Sequence, residues 1–152
     1  MIVFLGLILV AALLLYSVVM AGALKPAAKA SKRSGGASNR RGAVSRNEVA
    51  ARWATVEGMA ASGGNGLRQA ISEADKLFDH VMIGQGVRGE TMGERLKSSR
   101  GRFGGGSTYD NVWRAHKVRN ALAHEVGFDL VPSQAREALA GFERGLKDLG
   151  AL

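Results

Sequence analysis

The chain contains no cysteine among its 152 residues. Disulfides and thiolate metal sites are therefore excluded. Proline occurs only twice, and aromatic residues make up 6% of the chain. Pleated sheets are built from β-branched and aromatic side chains, so this shortage disfavours a sheet protein. Charge is missing altogether from Ile2–Leu24, and acids are missing from residues 25–46. What the chain does have is alanine, leucine, valine and 21 glycines. That mixture predicts helices separated by glycine-rich breaks.

The 23 uncharged residues of Ile2–Leu24 suffice for a helix across the hydrocarbon core, at about 1.5 Å per residue against roughly 30 Å. Ala21-Gly22-Ala23 would suit a signal-peptide cleavage site. However, no Lys or Arg precedes the apolar run, and the run exceeds the usual h-region. The stretch is read as a retained single-pass transmembrane helix. Seven basic residues follow it: Lys25, Lys29, Lys32, Arg33, Arg40, Arg41 and Arg46. By the positive-inside rule the N-terminus lies outside and the remainder in the cytoplasm. The same cations would meet anionic lipid head groups.

The net charge of +8 first suggests a nucleic-acid partner. Setting those seven aside leaves 14 of the 21 basic residues against all 13 acids, a balance of +1. Most of the excess therefore belongs to the segment after the apolar run. Residues 25–44 are rich in Lys, Arg, Ser, Gly and Ala, and read as a flexible basic linker.

Residues 45–152 read as an all-α domain, a helical bundle of four main helices and one short one. Ser45-Arg-Asn-Glu48 has the form of a capping box, with Val49, Trp53, Val56 and Ala60 following at helical spacing. Ser62–Gly66 breaks that helix. Leu67, Ala70, Ile71, Ala74, Leu77, Phe78, Val81 and Met82 then mark one apolar face. A short helix is expected over Thr91–Ser98, around Met92 and Leu96, and a mobile loop over Ser99–Thr108. The fourth helix is expected at Asp110–Glu125, ended by Gly127. The last starts at Pro132, with Ala135, Ala138, Leu139, Phe142, Leu146 and Leu149 inward.

Gly84-x-Gly86-x-x-Gly89 matches a dinucleotide-binding string. It follows a helix rather than a strand, so it reads as a turn between helices. His116 and His124 lie eight residues apart, about 12 Å along a helix, too far for one ion. No metal or other cofactor is expected.

The chemistry concentrates in the Asp110–Glu125 helix. Trp113, His116, Asn120 and His124 recur at steps of 3, 4 and 4, forming one stripe beside the apolar Val112, Ala115, Val118 and Leu122. From Arg95 to Arg119 seven basic residues stand against Asp110 alone. That is a local phosphate footprint, in which Arg114, His116 and Lys117 are candidate substrate-binding residues.

The string Arg119-Asn120-Ala121-Leu122-Ala123-His124 resembles the Arg-x4–6-His signature of the HEPN superfamily. These are small all-helical domains of RNA-cleaving toxins and defence proteins, and of some nucleotide-binding proteins. The resemblance implies Arg119 and His124 as a catalytic pair with Asn120 in support, metal-independent cleavage of RNA, and a homodimer that brings two motifs into one cleft. His124 would exchange a proton with a ribose hydroxyl or the leaving oxygen, and Arg119 would hold the scissile phosphate. The alternative is a non-catalytic, membrane-tethered interaction or scaffold protein. Arg119 would then pair with an acid such as Glu125, Glu73 or Asp79, and His124 with a backbone carbonyl.

Overall fold

The computed structural model describes residues 44–152. The expected transmembrane helix at 2–24 and the linker at 25–44, save Val44, lie outside the described residues. Among the described residues there are five α-helices and no strand. No helix there is long and apolar enough to cross a membrane. The order is α1 (Arg46–Ala61), α2 (Gly64–Gly84), α3 (Met92–Ser98), a 3-10 turn (Arg100–Arg102), α4 (Gly106–His124) and α5 (Pro132–Asp148).

Helix α2 is the axis of the bundle. It packs on α1, α3, α4 and α5. Its eight predicted apolar positions are all buried. Burying each large aliphatic or aromatic side chain contributes about 1.5–3 kcal/mol, so α2 supplies much of what offsets the entropy of ordering its neighbours. Phe78 sits at the centre, 5.8 Å from Phe142 of α5 and 6.4 Å from Phe103 between ring centroids.

Three of the helix starts follow from their sequence. The Ser45 hydroxyl accepts the backbone N–H of Glu48 at 3.1 Å, which caps α1. The Glu48 carboxylate does not complete the box; it lies 3.8 Å from His80 Nε2 on α2. At α3 the Thr91 hydroxyl accepts from Glu94 N–H at 3.2 Å, and the Glu94 carboxylate accepts from Glu90 N–H at 2.7 Å. Pro132 opens α5, where its fixed φ and missing N–H carry no penalty.

The stretch expected as a mobile loop before α4 is held at several points. Ser99 is fully buried, and its hydroxyl donates to Leu96 O. Phe103 is in the core. Gly104 N–H donates to Asp148 Oδ2 at 2.9 Å. Helix α4 also begins at Gly106, four residues before the expected Asp110. It ends at His124, and Gly127 takes the positive φ (+78°) that turns the chain toward α5.

Helix α5 lies in close contact with both of its neighbours, α2 and α4. A Cβ at Gly145 would stand 2.6 Å from both Phe78 and Val112, and one at Gly141 would stand 2.9 Å from the Asn111 carbonyl oxygen. The four-residue spacing of these glycines places both on one face. There the backbone of α5 itself meets α4 and α2.

Candidate functional site

Helix α4 carries every residue singled out for chemistry, but its turns face different parts of the bundle. Val112 and Ala115 are buried, and Val118 and Leu122 are half-buried. His116 lies one position round from Ala115 and points toward α2, only 8% exposed. Its partner is Asp75, 4% exposed in the middle of the apolar face of α2.

Four side chains close a ring at this α2–α4 contact. His116 Nδ1 is 2.8 Å from Asp75 Oδ1. Arg119 Nε is 3.2 Å from Asp75 Oδ2. Arg119 Nη1 donates to Asn120 Oδ1 at 3.1 Å. Asn120 Nδ2 lies 3.1 Å from His116 Nε2. The polarity of the ring is determined by its members. A guanidinium only donates, so Asn120 accepts through its oxygen and presents its amide hydrogens to His116. His116 Nε2 must then accept, its proton sits on Nδ1, and Nδ1–H donates to the carboxylate. No buried side-chain nitrogen or oxygen among the described residues lacks a partner. The burial of Asp75 is thereby compensated, as a charge in an apolar interior requires.

Beside the ring, Asp79, one helical turn after Asp75 on α2, takes a second guanidinium. Arg95 of α3 donates Nε to Oδ1 at 2.6 Å and Nη2 to Oδ2 at 2.8 Å. Its Nη1 donates to Gly89 O at 2.6 Å. The hydrogen bond to Asp79 pushes the Arg95 pKa up against the effect of burial, so the cation is fixed. Gly89 adopts a φ of +144°, and a Cβ there would stand 2.6 Å from Arg95 N. The last glycine of the Gly-x-Gly string thus serves to bring backbone against α3. The two pairs line an open cleft of about 530 Å³ between α2, α3 and α4, with Thr91, Gly93, His116 and Asn120.

The sequence candidates divide as follows. Arg119, Asn120 and His116 converge at this cleft. Arg114 and Lys117 line a separate groove between α4 and α5. His124 is the last residue of α4, exposed, and its ring makes no hydrogen bond among the described residues. Trp113 is half-buried, edge-on to Tyr109 and to His116. The run of seven cations is likewise split. Arg95 and Arg119 are spent on carboxylates, Arg100 lies 5.4 Å over the Tyr109 ring, and Arg102 reaches Gln85.

Asp75 and the Asp79–Arg95 pair were not among the sequence candidates. The signal for Asp75 was an acid at helical spacing between Ile71 and Phe78, on a face otherwise apolar. No group of three or more His, Asp or Glu side chains suited to a metal ion occurs among the described residues. No family model, curated protein or solved structure matches the chain.

Proposed function

We propose that the helical domain is a non-catalytic interaction module, held at a membrane by the uncharged stretch Ile2–Leu24. The observation that carries this reading is the closed Asp75–His116–Asn120–Arg119 ring. A group that works on a substrate needs a free lone pair or donor aimed at it. Both nitrogens of His116 are engaged within the ring, and Arg119 already holds a carboxylate and an amide. Three of the residues that look most chemical in the sequence, His116, Arg119 and Asn120, are thus bound to each other and to Asp75, where they tie α4 to α2.

A second reading, a HEPN-like metal-independent ribonuclease using Arg119 and His124 with Asn120, is favoured by one feature. The His124 ring is exposed, and the Arg119 side chain keeps 30% of its surface open. A second copy would be needed to bring these groups together over RNA, and Arg119 would have to release Asp75.

The two readings separate in one assay. Full-length chain, purified in mild detergent, is incubated with single-stranded RNA in the presence of a chelator. The expected outcome is no cleavage, with His124→Ala indistinguishable from the parent in both RNA integrity and melting temperature. Cleavage by the parent that disappears in His124→Ala would establish the ribonuclease instead.

A further inference from the structure

The groove between α4 and α5 is built differently from the cleft around Asp75. Its floor is small and apolar: Ala115, Val118 and Ala138. Along this seam the helices meet through residues with little side chain, and a Cβ at Gly141 would already touch Ala115 at 3.5 Å. The longer side chains flanking the seam therefore stand up as walls. They enclose about 460 Å³, within the range of sites that hold a ligand or a peptide side chain.

Three of those wall residues are cations, Arg114 and Lys117 from α4 and Arg144 from α5, against the single acid Glu137. All three are exposed. None of them is in an ion pair among the described residues. Arg114 reaches only the Asn111 side chain, and Arg144 only the Ala140 carbonyl of its own helix. The guanidiniums of Arg95 and Arg119, in contrast, are neutralised in place. Uncompensated positive charge over an apolar floor complements a ligand carrying both carboxylates and small apolar groups.

We propose that this groove docks an acidic peptide segment of a partner protein, its carboxylates on Arg114, Lys117 and Arg144 and an apolar side chain on the Ala115–Val118–Ala138 floor. This rests on the interaction-module reading and names the partner's chemistry. A nucleic acid shares the charge but suits the groove less well. Sequence-tolerant binding of single strands relies on aromatic platforms for the bases, and no aromatic residue lines this groove.

The experiment uses full-length chain in mild detergent and fluorescence anisotropy. The probes are a labelled peptide of alternating glutamate and leucine, the matching lysine–leucine peptide, and a labelled single-stranded RNA. The acidic peptide is expected to bind, more weakly as salt rises, and the lysine peptide not to bind. Reversing the charge at two walls, Lys117→Glu with Arg144→Glu, should weaken binding about tenfold or more, as attraction becomes repulsion at exposed sites. The same change in net charge placed off the groove, Arg88→Glu with Lys97→Glu, should leave affinity within about twofold. The neutral pair Lys117→Ala with Arg144→Ala reads the same contact more gently and guards against a folding defect in the reversed pair. Failure of the acidic peptide to bind, equal loss in both reversed pairs, or tighter binding of RNA at the groove would each overturn the proposal. RNA cleavage in the chelator assay would overturn the interaction module itself, so the two failures are told apart.

Discussion

Asp75 offers two carboxylate oxygens, and α4 supplies a partner to each: His116 Nδ1–H donates to one, and the Arg119 guanidinium forms an ion pair with the other. Removing the carboxylate leaves the Arg119 guanidinium without its counter-ion and an imidazole N–H without an acceptor. Breaking a buried charged pair from one side costs about 3–5 kcal/mol. Asp75→Ala should therefore lower the melting temperature by more than about 10 °C, since about 1 kcal/mol moves a domain of this size by several degrees. A shift of only a degree or two in differential scanning calorimetry would mean that water replaces the carboxylate freely and that the ring contributes little. Asp75 was not legible in the sequence because helical periodicity counts apolar positions. It has no means of telling an acid that interrupts the stripe from one that is paired within it.

Helix α3 is short, and its start depends on two residues. Thr91 accepts from Glu94 N–H, and the Glu94 carboxylate accepts from the chain before it. The backbone N–H of Glu90, then that of Thr91, hold the Glu94 pKa below its usual value of 4.5. A carboxyl whose pKa is lowered by folding adds stability above its unfolded pKa, and that contribution is lost as pH falls through the folded value. The stability gap between the parent and Glu94→Gln should therefore be full at neutral pH and shrink toward zero below pH 4.5. Denaturant titrations across the acid range measure it directly. A gap independent of pH would show that the carboxylate's charge is not what anchors the helix. Elements differed in how much their sequence disclosed. The long helix α2 could be read from its eight apolar positions alone. The start of α4 could not, because Gly104-Gly105-Gly106 carries the composition of a loop. What orders that stretch is tertiary: the Phe103 ring between Phe78 and Tyr109, and the Asp148 carboxylate on Gly104 N–H.

At the scale of the whole bundle, three helices meet closely at Gly145 on α5. Alanine is normally preferred to glycine within a helix by about 1 kcal/mol. Here a methyl group would stand 2.6 Å from both Phe78 of α2 and Val112 of α4, each fully buried. Overpacking costs about 1–3 kcal/mol, so the steric term exceeds the propensity term. Gly145→Ala should be destabilised by chemical denaturation, whereas Gly58→Ala on α1, where an added Cβ meets nothing within 4 Å, should be neutral or stabilising. Equal behaviour of the two variants would rule out close packing at this crossing. The count, order and type of the helices were legible in the residues themselves, because each depends on local pattern and caps. The division of α4's cations between two faces was not, because it depends on where α2 and α5 lie around that helix.

The polar ring also determines how α2 and α4 are aligned. The fully buried apolar residues that α4 gives to the core are small aliphatics, Val112 and Ala115, with Tyr109, Trp113, Val118 and Leu122 at the margin. Close packing of Asn111 and Val112 against Gly141 and Gly145 already opposes a slide of α4 by one helical turn, and the ring adds an electrostatic bar. The ring tolerates no such slip. A one-turn shift would place Val112 or Asn120 where His116 now meets Asp75, and would leave the acid with no imidazole opposite it. One alignment satisfies all four polar groups, and its neighbours strand a charge. The ring thus adds a polar determinant of registry to the close packing at Gly141 and Gly145, and that alignment places the three unpaired cations along the α4–α5 seam.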